Sequence, residues 1–158
     1  MAKADLTAQR LRELLDYNPE TGVFTRLAPT KRVVGSTSKI GYVELWLLGS
    51  KVRAHRLAFF YMTGDWPRHE VDHINGEKGD NRWVNLRDVT RTINQENKKI
   101  AKKSNKLGIL GVHRSGHKYM AYIQTAGRNR SLGCFPTPEE AYAAYLDAKR
   151  FLHQGNTL

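Results

Sequence analysis

The stretch Lys98-Lys99-Ile100-Ala101-Lys102-Lys103-Ser104-Asn105-Lys106 restricts the fold most. It has few apolar residues and its like charges repel, so it contributes little to a core. It divides the 158 residues into parts that must each bury their own apolar side chains. Residues 98–107 therefore read as a basic linker or as the fraying end of a preceding helix. Lys98, Lys99, Lys102 and Lys103 are candidates for lying along phosphates, although a solvated tether has the same composition.

Beyond this stretch, over 108–158, the periodicity is clear. Ile109–His113, Tyr119–Gln124 and Arg130–Phe135 read as three strands, with turns at Ser115-Gly116 and Ala126-Gly127. Thr137 is an N-cap with Glu140 three residues on, a capping-box pattern. Ala141, Ala144, Tyr145, Ala148 and Leu152 give the helix its buried face, and Gly155 ends it. The expectation is a three-stranded antiparallel sheet packed on one helix.

Residues 1–54 read as a helix followed by a β-hairpin region. Leu6, Leu11, Leu14 and Leu15 form a helical stripe capped by Thr7 and stopped at Asn18-Pro19. Val23–Thr25, Tyr42–Leu48 and Val52–Ala54 read as strands, with Gly49-Ser50 as a hairpin turn. His55–Met62 then fits a helix with Leu57, Ala58, Phe60 and Tyr61 on its apolar side. Phe24, Tyr42, Trp46, Phe59 and Phe60 are expected in the core, while Arg26, Lys31, Arg32 and Lys39 can touch phosphates.

A net charge of +11 favours a polyanionic partner, nucleic acid before an anionic membrane surface. The lone Cys134 excludes an internal disulfide framework and a multi-cysteine zinc site, and it fits a reducing interior. No apolar run approaches the roughly 18 residues that span a bilayer. Met1–Asp5 lacks the apolar stretch of a secretory signal, so an intracellular, cytoplasmic protein is expected. His113 and His117 sit at a hairpin turn without a nearby carboxylate, a weak basis for a metal site.

The chemistry concentrates between Pro67 and Asn97. Glu70–Gly76 reads as a strand entering an Asn-Gly turn, and Asp80–Val89 leads to Thr90, which can cap a helix containing Ile93, Asn94 and Asn97. Two strands and a helix bring Asp72, His73, Asn85 and Asn94 within reach of one another. Phosphodiester hydrolysis needs an activated water, neutralised phosphate charge and a stabilised leaving oxygen. Asp72 offers a charged oxygen and Asn94 a neutral one, which leaves most of an octahedral magnesium shell for phosphate and water. His73 can act as general base, and Asn85 can accept a hydrogen bond from its ring.

His55-Arg56-Leu57-Ala58, Val71–Gly76, Asp80-Asn81-Arg82, Asn85-Leu86-Arg87 and Asn94-xx-Asn97 together resemble the HNH endonucleases of phages and mobile introns. The resemblance implies an α+β protein with a ββα-metal (His-Me finger) core over 55–97. Asp72 and Asn94 would hold the metal, His73 would be the general base and Asn85 would orient it; Asn94 stands where the family name has its last histidine. It further implies Mg2+, with Mn2+ able to substitute, no small-molecule cofactor and no membrane. The activity implied is hydrolysis of double-stranded DNA, leaving 5′-phosphate and 3′-hydroxyl ends. A monomer would nick and a homodimer could cut both strands, in a phage-encoded protein acting inside a bacterial host.

Gly111–Arg114, Lys118–Ile123, Leu132–Phe135 and Thr137-xx-Glu140-Ala141 resemble the APETALA-type DNA-binding domain, whose sheet lies in the major groove. Arg114, Lys118, Arg128 and Arg130 crowd the strands and turns, with Tyr119 and Tyr122 among them to pack on sugars or bases. Tyr119 stands where that family commonly has tryptophan. The alternative from another class is a non-catalytic DNA-binding protein that keeps an HNH scaffold. An RNA-binding protein is a third option that no sequence feature favours.

Overall fold

A computed structural model describes residues 6–125 and 127–157. Met1–Asp5, and Ala126 of the expected turn, lie outside the described residues. The chain separates into two compact units, Met1–Val89 and Thr90–Leu158. Among the described residues no helix is long and apolar enough to cross a membrane.

The first unit opens with α1 (Ala8–Leu14), whose N-cap Thr7 accepts a hydrogen bond from the Arg10 amide at 3.1 Å. The helix ends at Leu14 rather than running to Asn18, because Leu15–Asn18 form strand β1 against β2 (Val23–Arg26). Leu15 and Tyr17 are buried while Asp16 and Asn18 are exposed, so a period of two overrides the helical stripe. Asn18 and Pro19 instead build the hairpin turn, where Asn18 Oδ1 accepts from the amides of Glu20 and Thr21.

β3 (Arg32–Val34) completes this sheet, in the order β1-β2-β3. A second sheet is made of β4 (Ser36–Thr37), β5 (Val43–Leu47) and β6 (Ser50–Arg53). Then come α2 (Ala54–Thr63), β7 (Glu70–His73), a 3-10 turn (Trp83–Asn85) and β8 (Leu86–Val89).

Leu11, Phe24, Leu45, Leu57 and Phe60 lead the core of this unit, and Phe60 stacks on Trp66 with ring centroids 4.4 Å apart. Trp46 departs from the core expectation, being 63% exposed. On β5 the buried positions are Leu45 and Leu47, so the pleat turns Trp46 outward.

The second unit contains α3 (Arg91–Glu96), β9 (Val112–Ser115), β10 (Lys118–Thr125), β11 (Arg128–Phe135) and α4 (Pro138–Leu152). The sheet has the antiparallel order β11-β10-β9. Helix α4 lays Ala141 against Val112 and Ala121, and Thr137 Oγ1 caps it by accepting from the Glu140 amide at 3.3 Å. The first strand starts at Val112, three residues later than its apolar run. Gly111 turns the chain with φ +76°, and a methyl there would run into the Tyr145 ring.

Residues 98–107 form turns and no regular element. Asn105 Nδ2 donates to the Ile109 and Val112 carbonyls at 2.7 and 2.9 Å, which ties the end of the stretch to the module. Helices and antiparallel sheets of this kind make an α+β protein.

Candidate active site

β7 and β8 pair so that Asp72 faces Arg87 and His73 faces Leu86. Adjacent residues of a strand point to opposite sides, so the two chemical groups separate at once. His73, 5% exposed, turns toward the interior beside Leu86. Asp72 turns to the other side, where Arg87 donates from Nε at 3.0 Å and Nη2 at 2.8 Å, both to Oδ2.

The loop joining the strands is held by side chains. Asn85 Oδ1 accepts from the Asn75 amide at 2.9 Å, and its Nδ2 donates to the Asp80 carbonyl at 2.8 Å. Asn75 Nδ2 in turn donates to Asp80 Oδ2 at 2.7 Å. Asn85 thus spans the loop from end to end, and its amide is spent there rather than on the His73 ring. The ring meets Asn81 instead, with His73 Nε2 3.4 Å from Asn81 Oδ1. Because Asn81 Nδ2 donates to the Gly79 carbonyl at 3.0 Å, its oxygen is the atom that faces the ring.

The β1–β2 hairpin buttresses this loop from below. Tyr17 donates its hydroxyl to the Asn81 carbonyl at 2.6 Å, and the Trp83 amide donates to the Pro19 carbonyl at 2.9 Å. Gly22, with φ +73°, lies so close under the Asn81–Arg82 peptide that a methyl would collide with backbone. Burial, followed by the charge of Asp80, pushes the Tyr17 hydroxyl up to about 12, so it stays a donor.

His55, at the first turn of α2 and 3% exposed, stands edge-on to His73 with ring centroids 4.9 Å apart. Tyr42 flanks both rings at 5.2 and 6.0 Å, and Arg53 lies over the Tyr42 face at 4.5 Å. Burial lowers the His73 pKa, while the Asn81 hydrogen bond and the charges of Asp72 and Asp80 work against that shift. Burial pushes His55 further, to about 3, with help from His73, Arg53 and Arg56. Among the described residues its buried Nδ1 has no hydrogen-bond partner. Asp80 is held down to about 2, first by its hydrogen bond from Arg82. Tyr42, His55 and Asn81 are the site residues to which the sequence assigned no role. His55 and Asn81 lie inside the motifs quoted above, but only the register and the loop bonds turn them toward His73.

Asn94 sits half-buried on α3 in the second unit, and Thr90 caps that helix by accepting from the Ile93 amide at 3.5 Å. Among the described residues no group of three or more His, Cys, Asp or Glu is placed to hold a metal ion. Taken separately, the Asp72 carboxylate and the Asn94 amide each offer an oxygen donor of the kind a hard divalent ion takes. A carboxylate and an amide oxygen are hard ligands, and magnesium keeps several waters and substrate oxygens where few protein ligands are supplied.

In the second unit the expected DNA-contact residues divide between two faces. Lys118 and Tyr122 lie on the side of the sheet away from α4, together with Met120 and His113. Tyr119, Ala121 and Ile123 alternate to the helix side, and Tyr119 packs against the core, which removes it from the outer face. Arg114, Arg128 and Arg130 pair with Tyr119, Thr125 and Ile123, so they also start on the helix side, although all three are exposed. A β-bulge explains the arginines of β11. Ala121 pairs with Gly133 but Tyr122 with Ser131, and the extra residue, Leu132, reverses the side on which every earlier residue of β11 falls. In the basic stretch Lys98, Lys102 and Lys103 are exposed and Lys99 is half-buried.

Residues 52–96, less than a third of the chain, match the family model described as HNH endonuclease. No curated protein sequence matches the chain. The solved structure described as "DNA binding and cleavage by the HNH homing endonuclease I-HmuI" aligns at 23% identity with a TM-score of 0.45. That alignment covers 89% of this chain and 88% of the other.

Proposed function

We propose that this protein is a divalent-metal-dependent HNH endonuclease that hydrolyses phosphodiester bonds in double-stranded DNA. The observation that carries the reading is the Asp72-His73 pair at the end of β7. Carboxylate and imidazole stand on opposite sides of one strand, inside the segment that matches the HNH endonuclease model. The net charge of +11 favours the DNA substrate.

In this mechanism the His73 imidazole takes a proton from a water whose oxygen attacks phosphorus in line. The new P–O bond forms as the bond to the 3′-oxygen breaks, and the departing oxygen gains a proton from solvent. A 5′-phosphate and a 3′-hydroxyl remain. Asn81 orients the ring, and Asn85 holds the loop that carries Asn81. Asp72 and Asn94 are the proposed metal ligands. A bound Mg2+ or Mn2+ would neutralise phosphate charge and stabilise the leaving oxygen. Arg87 orients the Asp72 carboxylate through its two hydrogen bonds to Oδ2.

Lys98, Lys99, Lys102, Lys103, Arg114, Lys118, Arg128 and Arg130 supply phosphate contacts, and Tyr122 supplies an apolar one. One site per chain cuts one strand, so a monomer nicks. The test is the chemistry of the nick, with DNA ligase applied to the open circles without prior kinase treatment. Resealing is the expected result. Ends that ligase cannot join would contradict water attack with departure of the 3′-oxygen.

A further inference from the structure

Helix α3 has only six residues, too few to be stable alone in water. Something outside the helix must hold it, and within the second unit that support comes from the segment after α4. The Gly155 amide donates to Glu96 Oε2 at 3.0 Å, and Thr157 Oγ1 donates to Asn97 Oδ1 at 2.6 Å. Lys99 Nζ reaches the Thr157 carbonyl at 3.5 Å. Helix α4 adds a further tie through Lys149, 1% exposed, whose Nζ donates to the Lys98 carbonyl at 2.6 Å. Gly155 is buried against the α3 backbone, where a methyl would strike the Ile93 carbonyl oxygen, one residue before Asn94.

We propose that the segment His153–Thr157 is a positioning clamp for Asn94. It docks on α3 and fixes the helix that carries this ligand. The inference rests on the proposed metal role of Asn94 and adds Gly155 and Thr157 as positioning residues. Residues supporting a metal ligand from behind commonly alter metal affinity without altering the ligand itself.

The test compares the full chain with its Gly155→Ala and Thr157→Val variants by hydrogen exchange and by Mn2+ titration followed by electron paramagnetic resonance. Gly155→Ala is expected to speed amide exchange over residues 91–98 about ten-fold, leave 112–135 unchanged, and weaken Mn2+ binding by about ten-fold. Thr157→Val, which adds no bulk at Gly155, should move both readouts in the same direction by less. DNA affinity measured in chelator should stay within about two-fold, because neither position carries a charge.

Unchanged exchange at 91–98 in both variants would overturn the clamp. Faster exchange with unaltered Mn2+ affinity would overturn its link to Asn94. Should the unsubstituted chain bind no Mn2+, the metal reading of the proposed function fails, and with it the link to Asn94. The exchange arm then still decides whether the segment holds α3.

Discussion

His73→Ala slows DNA cleavage by about 10²- to 10⁴-fold, the range expected for loss of a general base. DNA affinity measured in chelator stays within about two-fold, because affinity for DNA is dominated by phosphate neutralisation and this imidazole is uncharged. His73 is 5% exposed and its burial lowers its pKa, so at neutral pH it is a neutral ring able to take a proton. Cleavage rates with magnesium, set beside gel-shift affinities in chelator, separate the two effects. A loss of affinity as large as the loss of rate would contradict the assigned role. The removed ring also leaves His55 without its edge-on partner. A check that the variant keeps the unfolding transition of the parent therefore belongs with the kinetics.

Acid destabilises the first unit through His55. Its pKa in the folded chain is about 3, against an ordinary value of 6.5, so the unfolded chain binds a proton that the folded one refuses. The stability from keeping this ring neutral is fully present above about pH 6.5 and is lost as pH falls toward 3. At 1.36 kcal/mol per unit the whole window is worth about 5 kcal/mol, a large fraction of a domain's stability. His55→Phe keeps a ring against His73 and removes the titration. Tryptophan fluorescence follows this unit alone, because Trp46, Trp66 and Trp83 all lie in it. Between pH 7 and pH 4.5 in urea, the parent is expected to lose about 3 kcal/mol more than His55→Phe. Equal losses would mean that His55 is not held neutral.

Local signals made much of this protein legible in its sequence. Thr7, Thr90 and Thr137 are legible as N-caps from their neighbours alone, and each accepts the hydrogen bond that defines one. The alternation of β10 and the small residues of α4 likewise identified the sheet and its covering helix. Tertiary pairing hid the rest. Leu15 and Tyr17 fit a helical stripe until β2 pairs with them, and nothing local distinguishes Trp46 from its buried neighbours Leu45 and Leu47. A single extra residue at Leu132 moves Arg128 and Arg130 to the other side of the sheet, an event whose local mark is the strand glycine Gly133, with φ +128°. At the site, Asp72 and His73 were visible as a pair. That Asn81 rather than Asn85 meets the ring depends on loop bonds between side chains several residues apart.

Supercoiled plasmid incubated with the protein at low salt, with magnesium and separately with excess chelator, tests the central claim most directly. Open circles that accumulate only with the metal are the predicted result, ahead of any linear product, because one site per chain cuts one strand. Plasmid that stays supercoiled with both magnesium and manganese, under conditions where it is bound, would contradict the endonuclease and leave a DNA-binding protein.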